Sequence, residues 1–157
     1  TPIEKCMTPM IAGRKLAVVP ILRAGLGMVS GILALVPTAK VGHIGMYRDK
    51  ETLEPHEYYC KLPDPISERL IVVTDPMLAT GGSMELSYQA MLTKGHPAEI
   101  HVASIIASQK AIDHIKNVFP EDKTTIWCAA IDPELNEHSY IVPGLGDAGD
   151  LAYGEKE

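Results

Sequence analysis

The sequence reads as an α/β protein with a doubly wound, mostly parallel sheet and a β-hairpin arm. Three observations point there. Apolar, strand-like runs at 16–21, 41–46, 70–73, 100–107 and 124–131 suit strands buried on both faces. Segments with helical spacing of apolar residues separate most of them, as βαβ units require. Glycines and charged residues follow the strands directly, and ligands of such sheets bind beyond the carboxyl ends of the strands.

Residues 1–15 carry Pro2, Pro9 and Gly13 and read as irregular. The run 16–21 is the first strand, and 22–27 a tight turn with Gly25 and Gly27. Met28, Val29, Ile32, Leu33 and Val36 then mark a helix that Pro37 ends. After the strand 41–46, the polar stretch 51–62 with Tyr58 and Tyr59 reads as an exposed hairpin arm. The strand 70–73 leads through an acidic turn into a helix over 84–94, with Met84, Tyr88 and Met91 on one face and Gly95 as its terminator. Ile112, Ile115 and Phe119 mark a third helix before Pro120, and 124–131 is the last strand. From Asp132 onward the chain reads as loop.

The 157 residues imply one domain, 1–157, able to bury roughly 68–70% of its unfolded surface. Apolar residues make up 46% and charged residues 22%, the balance of an ordinary globular chain. The net charge of −6 argues against a nucleic-acid-coating surface, so no nucleic-acid partner is expected. Cys6, Cys60 and Cys128 are far apart and form no CxxC pair, which suits a reducing cytoplasm rather than a disulfide framework or zinc site. No run approaches the roughly 18 apolar residues of a membrane span, and no signal peptide is visible. The chain begins at Thr1 rather than at methionine, as a fragment or a processed form would.

The sharpest stretch is Val72-Val73-Thr74-Asp75-Pro76-Met77-Leu78-Ala79-Thr80-Gly81-Gly82-Ser83. A strand end, an acid, a small-residue loop and a helix start together make an anion site. Gly81 and Gly82 let the backbone close on an anion, the helix supplies N–H groups and the positive end of its dipole, and Thr80 and Ser83 add hydroxyls. An ordinary βα turn with a serine cap accounts for the same residues. The stretch is not a P-loop, because the Gly-Lys-Ser/Thr ending is absent.

Arg23 sits in a glycine-rich turn straight after a strand, where a guanidinium can grip a diphosphate bidentately. A charge that close to an apolar strand also needs a partner. Arg48 is a second candidate for the same anion, although its position alone favours a solvated charge. Gly144-Leu-Gly146-Asp-Ala-Gly149 matches G-x-G-x-x-G but lacks the strand before it and the chain after it that a dinucleotide site needs. Asp147 and Asp150 can hold a metal-bound water or a hydroxyl, or can simply close an Asp-Gly turn. Tyr58 and Tyr59 read as packing or interface residues, and His138 as capping or structural. No nucleophile stands out, which fits a reaction that positions two substrates and neutralises charge.

The stretch 72–83 resembles the phosphoribosyl-diphosphate (PRPP) motif of type I phosphoribosyltransferases, and its Asp75-Pro76 form resembles the uracil phosphoribosyltransferase family. Three further stretches agree: 19–27 around Arg23, Gly45-Met46-Tyr47-Arg48 with 51–55, and Leu135-Asn136-Glu137-His138 through 140–150. The resemblance covers nearly the whole chain. It implies a type I phosphoribosyltransferase fold and the conversion of uracil and PRPP to UMP and diphosphate with Mg²⁺. Carried over by motif, Arg23 and Arg48 hold the diphosphate, and Asp75 faces the ribose, with Pro76, Met77 and Leu78 beside it. Ala79, Thr80, Gly81, Gly82 and Ser83 surround the 5′-phosphate. Ile141, Gly146, Asp147 and Ala148 read uracil, largely through backbone groups. Asp75, Asp147 and Arg23 would carry the catalysis, with no direct protein ligand to the metal and Asp147 reaching PRPP through metal-bound water.

Some members of that family are activated by GTP and form dimers or tetramers. Members usually carry several dozen residues before the point where this chain starts. Thr74 stands where the family has an apolar residue, Ser108-Gln109-Lys110 where it has Ala-Pro-Glu, and Leu151-Ala152-Tyr153 where it has a basic-led Ile-Phe ending. Rival readings are a non-catalytic nucleotide-binding or regulatory module on the same fold, an RNA-binding regulator, and a phosphoribosyltransferase for another base.

Overall fold

A computed structural model describes the chain except residues 10, 12, 14, 50, 51, 53, 54, 156 and 157 and the side chains at 48 and 55. The apolar run at the start forms β1 (Leu16–Leu22), and a 3-10 turn (Ala24–Met28) leads into helix α1 (Val29–Leu35), which stops before Pro37. The strand expected over 41–46 is split at Gly42 into β2 (Lys40–Val41) and β3 (His43–Arg48), both paired parallel with β1 in one register. A side chain at Gly42 would collide with Pro63, so the chain passes there only as glycine. β4 (Pro55–Lys61) pairs antiparallel with β3, so the expected hairpin arm exists and takes β3 as its first strand.

β5 (Leu70–Thr74) is followed by β6 (Met77–Leu78), a strand the sequence reading had as turn. β5 and β6 pair with β7 (Glu99–Ser108) in the same register, Thr74 opposite Ala103 and Met77 opposite Ile106. Asp75 and Pro76 therefore interrupt a strand rather than end it, and the Pro76 carbonyl accepts from the Ile105 and Ile106 amides. Helix α2 (Gly82–Leu92) ends before Lys94, and Gly95 takes a positive φ of 137° just beyond. Helix α3 (Gln109–Val118) is capped by Ser108, whose hydroxyl accepts from the Ala111 amide at 3.0 Å. The departure from Ala-Pro-Glu at 108–110 thus supplies a cap. β8 (Thr124–Asp132) completes the sheet.

Beyond Asp132 the structure corrects the expectation of loop. β9 (Glu134–Leu135) and β10 (Ile141–Val142) form a small hairpin, and α4 (Ala148–Tyr153) follows. Its six residues are too few for an apolar period to show in sequence.

The parallel strands lie in the order β3, β1, β5, β7, β8. The chain leaves β1 in one direction and β5 in the other. Right-handed crossovers then put α1 on one face and α2 with α3 on the opposite face. The core agrees: Ala17, Val19, Ile71, Val73, Ile100 and Val102 of one sheet face join Met84, Met91, Ile112 and Ile115 of α2 and α3 in one buried cluster. Tyr88 of α2 stacks on Phe119 at 4.3 Å, so its aromatic face seals the helix pair. The order reverses between β1 and β5, and there the C-terminal ends of neighbouring strands open a crevice.

Two local features carry predictions. Thr74 is fully buried and its hydroxyl donates to the Gly25 carbonyl at 3.0 Å, tying the turn after β1 to the end of β5. Thr74→Val keeps the shape and strands that carbonyl, so a urea melt should show a loss of about 1–3 kcal/mol. Cys60 is half-buried, and burial pushes its thiol up, Glu57 adding and Lys94 opposing. Only the thiolate reacts, so iodoacetamide at mildly alkaline pH should label exposed Cys6 well before Cys60, as read by peptide mass spectrometry.

Among the described residues no helix is long and apolar enough to cross a membrane.

Candidate active site

Arg23 follows β1 across a cis Leu22–Arg23 peptide. The turn that carries it needs Gly25, because a Cβ there would collide with the Thr74 carbonyl. The Arg23 side chain is about one third exposed, and its Nη2 donates to Asp150 Oδ1 at 2.7 Å. The partner that a charge beside an apolar strand requires is thus Asp150, from the far end of the chain. Arg23 Nε is buried without a hydrogen-bond partner among the described residues.

Asp75 sits at the break between β5 and β6, half-buried, and accepts from the Met77 amide at 3.3 Å. The chain then turns into α2. Its N-cap is Gly81, at φ 86°, and no side chain caps it. The serine-capped turn considered from sequence is therefore not what forms: Ser83 lies inside the first turn of the helix. An eleven-residue helix with a glycine cap presents backbone N–H groups and a positive dipole end rather than a capping hydroxyl. Thr80 Oγ1 accepts weakly from the Gly82 amide at 3.4 Å. Behind the loop, the Ser108 hydroxyl donates to the Ala79 carbonyl. His114 closes on Gly81 so tightly that an added Cβ would lie 2.9 Å from its ring. His114 Nε2 is itself 2.7 Å from Glu85 Oε2 of α2.

Asp147 is the N-cap of α4, its Oδ1 accepting from the Asp150 amide at 2.9 Å. The segment before it is shaped by Asn136, whose side-chain oxygen accepts from the His138 and Tyr140 amides at 3.0 and 2.9 Å. Asp132, at the end of β8, holds the Gly144 amide at 3.0 Å.

These pieces meet in one cavity of about 580 Å³ at the β1/β5 crevice. Arg23, Asp75, Met77, Leu78, Ala79, Thr80, Gly81, Ser83, Asp147 and Ala148 all line it. Pro76, Gly82, Ile141 and Gly146 are neighbours of that lining rather than part of it. The Arg48 side chain, and Glu51, Leu53 and Glu54 of the quoted motif, lie outside the described residues.

The structure also brings Tyr47, Tyr58, His138, Ser139 and Tyr140 to the wall; Tyr47, His138 and Tyr140 lie in the stretches that carry the resemblance, but the sequence reading assigned none of the five a contact. Tyr58 is not simply packing. It lies over Gly45, where any Cβ would sit within 2.5 Å of its ring, and so it projects from the hairpin arm toward the crevice. The one available signal was its position beside the quoted Arg48 stretch. Chemically, the cavity offers an arginine and a helix N-terminus for anions, two carboxylates, and a loop of backbone donors and acceptors.

A family model described as uracil phosphoribosyltransferase matches residues 1–155. A uracil phosphoribosyltransferase of Clostridioides difficile is 53% identical over 156 residues, covering 99% of this chain and 73% of that one. A solved structure of a protein from Aquifex aeolicus superposes with a TM-score of 0.83 at 40% identity, over 90% of this chain and 66% of that one. A purine phosphoribosyltransferase from Pyrococcus horikoshii shares the fold, with a TM-score of 0.53 at 17% identity over 73% of this chain and 74% of that one.

Proposed function

The chain belongs to the uracil phosphoribosyltransferase family, and we propose that it transfers the 5-phosphoribosyl group from PRPP to uracil, giving UMP and diphosphate. The observation that carries this is the single cavity at the β1/β5 crevice, walled by Arg23, the uncapped start of α2, Asp75 and Asp147.

In this reading Arg23 and Arg48 hold the diphosphate, and Asp75 with Pro76, Met77 and Leu78 faces the ribose. Ala79, Thr80, Gly81, Gly82 and Ser83 receive the 5′-phosphate. Ile141, Gly146 and Ala148 present backbone groups to uracil, beside Asp147. Buried donors and acceptors matched to two carbonyls and one N–H would be left unpaired by cytosine, which is how such a loop rejects it. The bond from the ribose to the diphosphate breaks as a bond to the base nitrogen forms, and the proton that this nitrogen carried passes to the departing diphosphate or to water. Positive character develops on the ribose, as in other glycosyl transfers. Arg23 meets the charge that gathers on the leaving group, and the carboxylates face the ribose side. The protein contributes position and charge rather than a covalent intermediate.

The donor set suits Mg²⁺ held without a direct protein ligand: Asp75 and Asp147 line one cavity as hard oxygen acceptors for metal-bound water, and PRPP and water would supply the ion's own ligands. When bound with PRPP, the ion neutralises diphosphate charge. Activation by GTP, assembly into dimers or tetramers and action in the cytoplasm belong to the same proposal and rest on the resemblance. Size-exclusion chromatography with and without GTP tests the first two.

The test of the reaction is UMP formation from uracil, PRPP and Mg²⁺, with cytosine, hypoxanthine and orotate as controls. Uracil-only turnover is the expected result. Turnover with another base would overturn the substrate, and a folded protein inert toward all four would favour the non-catalytic reading.

A further inference from the structure

Asp150 lies outside the cavity, whereas Arg23 lines it. The contact between them, Nη2 to Oδ1 at 2.7 Å, uses one donor of the five that a guanidinium carries. Asp150 therefore holds the arginine through Nη2, while Nε is buried and the guanidinium still reaches the cavity wall.

The grip is mounted on the base-side loop. Asp150 is in the first turn of α4, and its amide is held by the N-cap Asp147. That turn closes against the arginine's own loop: a Cβ at Gly149 would lie 3.2 Å from Asp147 Oδ1 and 3.9 Å from Ala24 Cβ. Farther along α4, Tyr153 approaches Gly27 of the same 3-10 turn. The two segments are 127 residues apart in sequence yet form one packed unit.

From this geometry we infer that Asp150 is the positioning residue that orients Arg23 toward the diphosphate, and that through it the base loop and the diphosphate turn act as one body. The inference deepens the proposed function and rests on the assignment of Arg23 made there. A guanidinium on a flexible stem loses rotamer freedom when it binds. One strong contact made in advance lowers that loss at the moment the anion arrives.

The test is isothermal titration of the protein with two probes, inorganic diphosphate plus Mg²⁺ and ribose 5-phosphate. The second probe occupies the loop at 79–83 and does not use Arg23. Asp150→Asn keeps the shape and removes the charge. It should weaken diphosphate binding about tenfold and leave ribose 5-phosphate binding at its wild-type value. In steady state the KM for PRPP should rise while kcat at saturation stays close to wild type. In an Arg23→Ala background the same substitution should have no further effect, because there is no guanidinium left to orient.

Three results would overturn the inference: unchanged or tighter diphosphate binding in Asp150→Asn, equal weakening of both probes, or an effect that survives in full in the Arg23→Ala background. Wild-type diphosphate affinity in Arg23→Ala alone would overturn both this inference and the assignment of Arg23 beneath it. Asp150→Ala serves as a second variant, with a thermal melt to verify folding of each protein.

Discussion

Replacing Asp147 with asparagine should lower kcat/KM for UMP formation by about 10²–10³-fold while leaving the melting transition where it was. The two halves of that expectation separate the two jobs of this side chain. Asp147 Oδ1 caps α4 by accepting from the Asp150 amide at 2.9 Å. The asparagine oxygen accepts the same bond, and asparagine ranks with aspartate as an N-cap, so the helix keeps its start. What disappears is the negative charge that the proposed mechanism places beside the ribose and the diphosphate. Asp147→Ala, by contrast, removes the cap as well and should cost about 1 kcal/mol of stability in addition. Steady-state kinetics and a thermal melt on the two variants check both halves. Near-normal turnover in Asp147→Asn would remove Asp147 from the proposed mechanism and leave it a helix cap.

The second large effect is expected at Arg23, where lysine keeps the charge and discards the fork. Arg23→Lys should lower kcat/KM for PRPP by about 100-fold, because a point charge cannot make the parallel bonds that a planar guanidinium makes to phosphate oxygens. Stability should barely move. The Arg23 and Asp150 side chains are 33% and 31% exposed, so their pair is screened and counts as a surface pair worth under about 1 kcal/mol. The readout is therefore a kinetic loss with little shift in melting temperature. A variant that binds diphosphate as tightly as the parent would move the leaving-group site away from the β1 turn.

Much of the fold was legible because its signals are local. The runs that became β1, β5 and β7 are continuous apolar stretches, and a strand buried on both faces writes that pattern into consecutive residues. The loop proposed for the 5′-phosphate was legible as a turn and helix start for the same reason. Asp75, Thr80, Gly81, Gly82 and Ser83 are neighbours in sequence, and the demands of a close turn and a helix start act over a few residues. The departures at Thr74 and Ser108 were visible as substitutions, but their use was not. Each makes its hydrogen bond to a carbonyl far along the chain, Thr74 to Gly25 and Ser108 to Ala79.

The sequence by itself determined the long buried strands, the helices between them, the strand–loop–helix segment at 70–94 and the family likeness, because each rests on short-range periodicity or on a contiguous motif. Only the tertiary structure decided which strand ends lie side by side. The reversal of strand order between β1 and β5 brings Arg23 and Asp75 to one cavity, and nothing in either segment names the other as its partner. The same holds for Asp150. Beside Asp147 it read as one of two acids for a metal-bound water, a hydroxyl or a local turn, yet in the fold it pairs with Arg23. Tyr58 and His138 read as packing and capping residues until the hairpin arm and the last loop bring them to the cavity wall. An ion pair or a cavity is a property of distance in space. In a parallel sheet, distance in space is set by crossovers that leave no local mark on the residues they bring together.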